Sequence, residues 1–157
     1  MSEGGGILQN SAGCMIFALS WYFGSYTSIQ AEAKTLLLVL QLYAQRGIDG
    51  NLVVETHSLT LQRILLKRYQ CLWSISAKVE YIELVSGGRC QILYCYREAN
   101  KVADIMANVG SAHPQHVLYV YERLADLPKM ARGEYRLDKF GFPSFRRFRV
   151  IGATSKM

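Results

Sequence analysis

Apolar side chains at Ala33, Leu36, Leu37, Leu40, Tyr43 and Ala44 recur three and four residues apart, the spacing of a helix that buries one face. The run starts near Thr27 or Ser28, where Thr27 and Gln30 fit a capping box, and stops at Arg46-Gly47 with glycine as C-cap. Such a stripe needs a second layer to cover it. Before the helix, Gly6–Gln9 and Cys14–Leu19 are strand-forming runs joined by the turn residues Asn10-Ser11-Ala12-Gly13, a hairpin whose second arm extends through Trp21, Tyr22 and Phe23. After it, Leu52–Thr56 reads as a strand of the parallel kind. Ser58 then caps a helix over Leu59–Tyr69, and a third helix runs from Ser74 or Ser76 to Val85, closed by Gly87-Gly88. Cys90–Tyr96 forms a further strand, and Asn100 caps a helix carrying Val102, Ala103, Met106, Ala107 and Val109. This order predicts an α/β fold, a mixed sheet with helices packed on it. Past Gly110, Ser111–Pro114 reads as a linker and the remainder has no firm periodicity.

At 157 residues, half of them hydrophobic, one compact core is expected. The longest apolar run, Leu36–Leu40, is far below the ~20 residues that span a bilayer, and the N-terminus has no basic region before its first apolar residues. These features predict an intracellular chain with no membrane partner. Cys14, Cys71, Cys90 and Cys95 form neither a C-x-x-C pair nor a cluster with histidine, so they read as reduced thiols. The net charge of +6 is confined to one end: residues 1–127 hold ten basic and ten acidic side chains, and residues 128–157 hold eight basic against two acidic.

Three residues stand out by position. Glu32 lies within one turn of Leu36, on the face that points to the core; His57 follows a parallel-type strand; Asp104 falls in the second turn of the last clear helix. In open α/β sheets the carboxyl ends of strands are where ligands bind. Each has an ordinary reading as well, Glu32 as an acid favoured near a helix N-terminus and Asp104 as a solvated helix residue. Periodicity yields no reaction.

Four ordered motifs add a family. Gly4-Gly5-Gly6-Ile7-Leu8, Gln30-Ala31-Glu32-Ala33-Lys34, Val54-Glu55-Thr56-His57-Ser58 and Arg97-Glu98-Ala99-Asn100-Lys101-Val102-Ala103-Asp104 resemble the RNase H-like domains of plant retroelement, reverse-transcriptase-associated type. Tyr135–Pro143 resembles the extension that often follows them. The resemblance implies an RNase H-like mixed five-stranded sheet whose first strand is absent here, in an N-terminally truncated domain over 1–112 with a basic extension over 113–157. It also implies an endonuclease that hydrolyses the RNA of an RNA–DNA hybrid with two Mg²⁺ ions held by four carboxylates, a hard cation being matched to clustered oxygens.

Glu32 and Asp104 match two of those carboxylates, as catalytic and metal-binding residues. His57 stands where the family has aspartate, and the remaining aspartate belongs to a strand that precedes the glycine motif. A chain with this set is expected to be impaired in cleavage, and a histidine, glutamate and aspartate suit Zn or Mn better than two Mg²⁺. Arg97 and Lys101, beside Asp104, and Arg146, Arg147 and Arg149 in the tail are candidates for phosphate contact. The resemblance leaves three functions open: a hybrid nuclease, a binding module that does not cut, and a retroelement-derived fragment without selected function. With the first strand absent, the two strand pairs are expected to face an open slot, unless the pairs close on each other or the tail from Phe145 to Ile151 fills it.

Overall fold

The computed structural model describes residues 2–10, 12, 14–47, 52–56, 58–87, 90–94, 101–139 and 147–152. Strands β1 (Ser2–Gln9) and β2 (Met15–Gly24) form the antiparallel hairpin. Asn10 shapes its turn, its Oδ1 accepting from the backbone N–H groups of Ala12 at 3.0 Å and Cys14 at 2.9 Å. Helix α1 (Ser28–Gln45) starts at the Thr27/Gln30 capping box that the sequence predicts. Strand β3 (Leu52–Thr56) follows, then α2 (Leu59–Leu65) capped by Ser58, and a 3₁₀ turn over Trp73–Ile75 that runs into α3 (Ser76–Ser86). Strand β4 (Cys90–Tyr94) pairs in parallel with β3, and α4 (Lys101–Gly110) completes the part with clear periodicity. Beyond it the segment read as linker and aperiodic tail contains β5 (Leu118–Tyr121), α5 (Lys129–Lys139) and β6 (Arg147–Gly152).

Among the described residues the sheet has six strands, in the order β4-β3-β6-β1-β2-β5. The slot expected to stand open between β1 and β3 is therefore filled, and its occupant is the tail. β6 runs antiparallel to β1, with Ile7 opposite Arg149, and parallel to β3, with Thr56 opposite Val150. The physical reason is backbone satisfaction: strands flanking an empty slot would leave two rows of amide groups unpaired in the middle of a sheet. The alternating residues of β6 supply the missing ladder.

Period-two alternation along β1 and β2 divides the core. Leu8, Phe17, Leu19 and Phe23 are buried on the side of α1, where they pack with Leu36, Leu40, Val54, Leu61, Val79 and Ile82. Ile7 and Ala18 point the other way, toward Val102 and Met106 of α4 and Ala131 and Tyr135 of α5. The two glycines next to Glu3 exist because both layers come close to β1. A Cβ at Gly4 would lie 2.1 Å from Thr35 Oγ1 of α1, and one at Gly5 would lie 2.2 Å from the backbone nitrogen of Ala107 in α4. Tyr135 ties α5 to the hairpin, its hydroxyl accepting from the Met15 N–H at 2.9 Å.

Candidate functional site

Glu32 and β3 define the first half of the site. The capping box fixes the start of α1, and the core stripe fixes its rotation, so Glu32 in the second turn points inward and is buried. It meets the last residue of β3, where Thr56 Oγ1 donates to Glu32 Oε2 at 3.3 Å. The same hydroxyl oxygen accepts from the Ser58 N–H at 3.1 Å, and Ser58 in turn caps α2 through the Leu61 N–H at 3.2 Å. A carboxylate from α1 is thereby held at the carboxyl end of β3, the rim the sequence singles out. His57, between Thr56 and Ser58, lies outside the described residues, as do Arg97 and Arg146.

Asp104 approaches from the opposite face of the sheet. Ala107 of α4 sits over Gly5 of β1, and Gly110, one turn on, sits over Trp21 of β2. Three helical residues advance about 4.5 Å, which matches one interstrand step of roughly 4.8 Å, so α4 crosses the strands nearly at right angles. One turn back from Ala107, the half-buried Asp104 therefore lies over β6, level with Ile151, the register partner of Gly5. Glu32 reaches the sheet at Thr56, the register partner of Val150. Helices α1 and α4, which carry Glu32 and Asp104, both contact β6. Lys101 is exposed at the start of the same helix. The backbones of Arg147 and Arg149 lie within β6, Arg149 in register with the buried Glu55 of β3.

A second cluster lies where β2, α1 and α3 meet. Trp21, Phe23 and Tyr26 stack in a ladder with ring centroids 5.4 Å and 5.2 Å apart. Lys34 Nζ lies 5.9 Å from the Trp21 ring and Lys78 Nζ lies 5.4 Å from the Tyr26 ring. Burial lowers the Lys34 ammonium from its ordinary value, and repulsion from Lys78 lowers it further. Trp21 Nε1 is a buried donor that meets no acceptor among the described residues. α3 begins beside Lys78 with no side-chain cap on its first N–H groups. This corner offers donors and positive charge, and its signal was available in the sequence only as isolated aromatic and lysine positions.

Among the described residues no group of three or more His, Cys, Asp and Glu side chains is placed to hold an ion. Two Mg²⁺ ions require more oxygen ligands than Glu32 and Asp104 offer, and the six residues of β6, Arg-Phe-Arg-Val-Ile-Gly, include no acid. The described donor set does not fit the pair of ions implied by the resemblance.

Residues 1–110 match the family model described as reverse transcriptase-like. The chain belongs to this family. Its fold is that of a ribonuclease H-type domain: the structure of RNase H1 from the halophilic archaeon Halobacterium salinarum superposes with a TM-score of 0.64 at 21% identity, over 70% of this chain and 85% of that one. No curated protein matches the sequence. The family match covers the hairpin, α1, β3 and α4, the elements that carry Glu32 and Asp104. No helix among the described residues is long and apolar enough to cross a membrane.

Proposed function

We propose that this chain is a nucleic-acid-binding domain of ribonuclease H type that engages RNA–DNA hybrid and is impaired in cutting it. The observation that carries this reading is the strand contacted by the helices that carry Glu32 and Asp104. Where the resembled nucleases have a strand that contributes an aspartate, the slot holds β6, which brings two arginines and no carboxylate. Two negative charges in place of four leave a pair of divalent ions poorly neutralised, and a histidine at position 57 does not replace the lost charge. The origin is the plant retroelement, reverse-transcriptase-associated lineage named by the four motifs. Residues 1–112 are its family unit, and 113–157 a basic extension that returns to the sheet through β5, α5 and β6.

Binding rests on positive charge in two places. One is the Lys34/Lys78 corner, where ammonium groups and aromatic faces suit a phosphate next to an unstacked or end-on base. The other is the eight basic residues of 128–157. Titrating a labelled RNA–DNA hybrid with the protein over a range of salt tests both. Affinity is expected to fall steeply with salt, and Lys34→Gln with Lys78→Gln is expected to lower the log–log slope by about 1.8, the release of two counterions. Absence of hybrid binding at low salt overturns the proposal.

A further inference from the structure

The inward stripe of α3 loses its bulk before the helix ends. Ile75, Val79 and Ile82 are buried, and the next position on that face is Ser86. Cys90, the first residue of β4, is small as well. From the other side α2 stops short at Leu65, because Lys67 turns into the left-handed region with φ 59°. α2 packs on α1 and β4, and α3 packs on α1, so the two helices rest on shared neighbours more than on each other. A cavity of about 100 Å³ remains between them, lined by Leu65, Leu66, Ile82, Glu83, Ser86 and Cys90. Behind Ser86 and Cys90 a further void of about 10 Å³ reaches Leu40 and Tyr43, so that wall has room to yield.

The lining offers few hydrogen bonds. Leu65, Leu66 and Ile82 present methyl groups, and the Ser86 hydroxyl already donates to the Glu83 carbonyl at 3.2 Å. Burial pushes the Cys90 thiol up to about 12, so it stays neutral at physiological pH and is a weak donor. Only the Glu83 carboxylate is a strong acceptor, and it stands at the exposed rim, 4.0 Å from Lys67 Nζ. A water needs two to four polar partners, which the depth of this cavity does not supply, so an apolar group that displaces it gains affinity. A cavity of ~150 Å³ accepts a benzene ring. This one has about two-thirds of that volume and opens to solvent beside Leu66 and Glu83, so one ring fits with an edge at the mouth.

We propose that the cavity between α2, α3 and β4 is a binding site for a small neutral aromatic molecule bearing a hydroxyl, of the size of phenol or benzyl alcohol. The ring enters between Leu65 and Ile82 toward Cys90, and the hydroxyl stays at the mouth and donates to the Glu83 carboxylate. The same carboxylate repels an aromatic acid. Ser86 lies eight residues along α3 from Lys78, roughly 12 Å, so the inference does not depend on hybrid binding at the Lys34/Lys78 corner.

Methyl NMR spectra of the full chain, titrated with benzyl alcohol, test it. The Leu65, Leu66 and Ile82 methyl resonances are expected to shift together and saturate, half-maximally on the order of 1 mM, while those of Leu8 and Leu36 in the main core stay in place. Benzoate is expected to bind about tenfold more weakly or worse, and Glu83→Gln to abolish that difference. Ser86→Phe, which fills the cavity from α3, and separately Leu66→Trp, which covers its mouth from α2, are expected to abolish the shifts. Leu66 is exposed, so its variant keeps the native spectrum elsewhere and decides the matter if Ser86→Phe does not fold. The absence of saturable shifts up to the solubility limit of benzyl alcohol overturns the proposal. So do shifts that spread equally to Leu8 and Leu36, shifts that persist in Leu66→Trp, or benzoate that binds wild type as tightly as benzyl alcohol.

Discussion

Val150 is the residue at which the position of β6 is most exposed to test. It stands opposite Gly6 of β1 on one side and Thr56 of β3 on the other, in the interior of a six-stranded sheet. Val150→Pro removes the strand's N–H at that point and fixes φ near −65°, away from the −120° to −140° of a paired strand. One ladder hydrogen bond, worth about 0.5–1.5 kcal/mol, is lost, and the carbonyl that accepted it is left buried without a donor at about 1–3 kcal/mol. Together the loss is about 3 kcal/mol before any strain in the ring. For a chain of 157 residues each kcal/mol moves the midpoint by about 2–4 °C, so thermal unfolding followed by circular dichroism should show a fall of about 6–12 °C. If residues 140–157 were instead a solvated tail, proline at 150 would be silent. A change below about 2 °C, equivalent to at most about 0.5–1 kcal/mol, would refute the placement of β6.

Three further outcomes follow from the same geometry. Gly5→Ala places a methyl group against α4 backbone, 2.2 Å from Ala107 N, and is expected to destabilise by at least the ~1–3 kcal/mol of core overpacking in urea titration, while a loss under about 0.5 kcal/mol would mean that α4 does not pack there. Replacing Lys129, Arg132 and Arg136 of α5 by glutamine should lower the salt slope of hybrid binding by up to about 2.7 if all three touch phosphates, and an unchanged slope would remove α5 from the binding surface. His113 hydrogen-bonds with Ser20 Oγ at 2.9 Å and Tyr121 Oη at 3.2 Å and stacks on Tyr119, and burial holds its imidazole below the ordinary 6.5. The unfolded chain therefore takes up this proton first as pH falls, so the stability contributed by neutral His113 is present above about pH 6.5 and lost on acidification through the lower folded value; His113→Gln should flatten that part of a melting-temperature profile, and an unaltered profile would show that other groups set it.

The parts of the fold legible in the sequence are those whose cause is local. Thr27 and Gln30 start α1 where the capping box says, the Asn10–Gly13 turn joins the hairpin, and the stripe from Ala33 to Tyr43 rotates Glu32 into the core. α2 is shorter than its pattern, because Lys67 takes a left-handed φ of 59° and the Arg68 and Tyr69 N–H groups both turn back to the Arg63 carbonyl. Nothing local marks β6 as a central strand: its six residues pair with partners 94 positions earlier in β3 and 138 to 148 positions earlier in β1, and only the need of β1 and β3 for a shared neighbour selects them. β5 is equally hard to read, being four residues held by pairing with β2 and by the Arg46–Glu122 ion pair just beyond it. The Lys34/Lys78 corner joins residues of two helices and a strand, so no spacing in the chain announces it.

The central claim is that the helices carrying Glu32 and Asp104 contact a strand without a carboxylate, and that the domain therefore supports binding without efficient hydrolysis. Incubating the full chain with a 5′-labelled RNA–DNA hybrid in Mg²⁺ and in Mn²⁺, at concentrations where binding is saturated, measures this directly. The RNA strand is expected to stay intact while the hybrid remains bound and salt-sensitive. Metal-dependent cleavage by the unmodified chain that disappears in Glu32→Gln would contradict the claim.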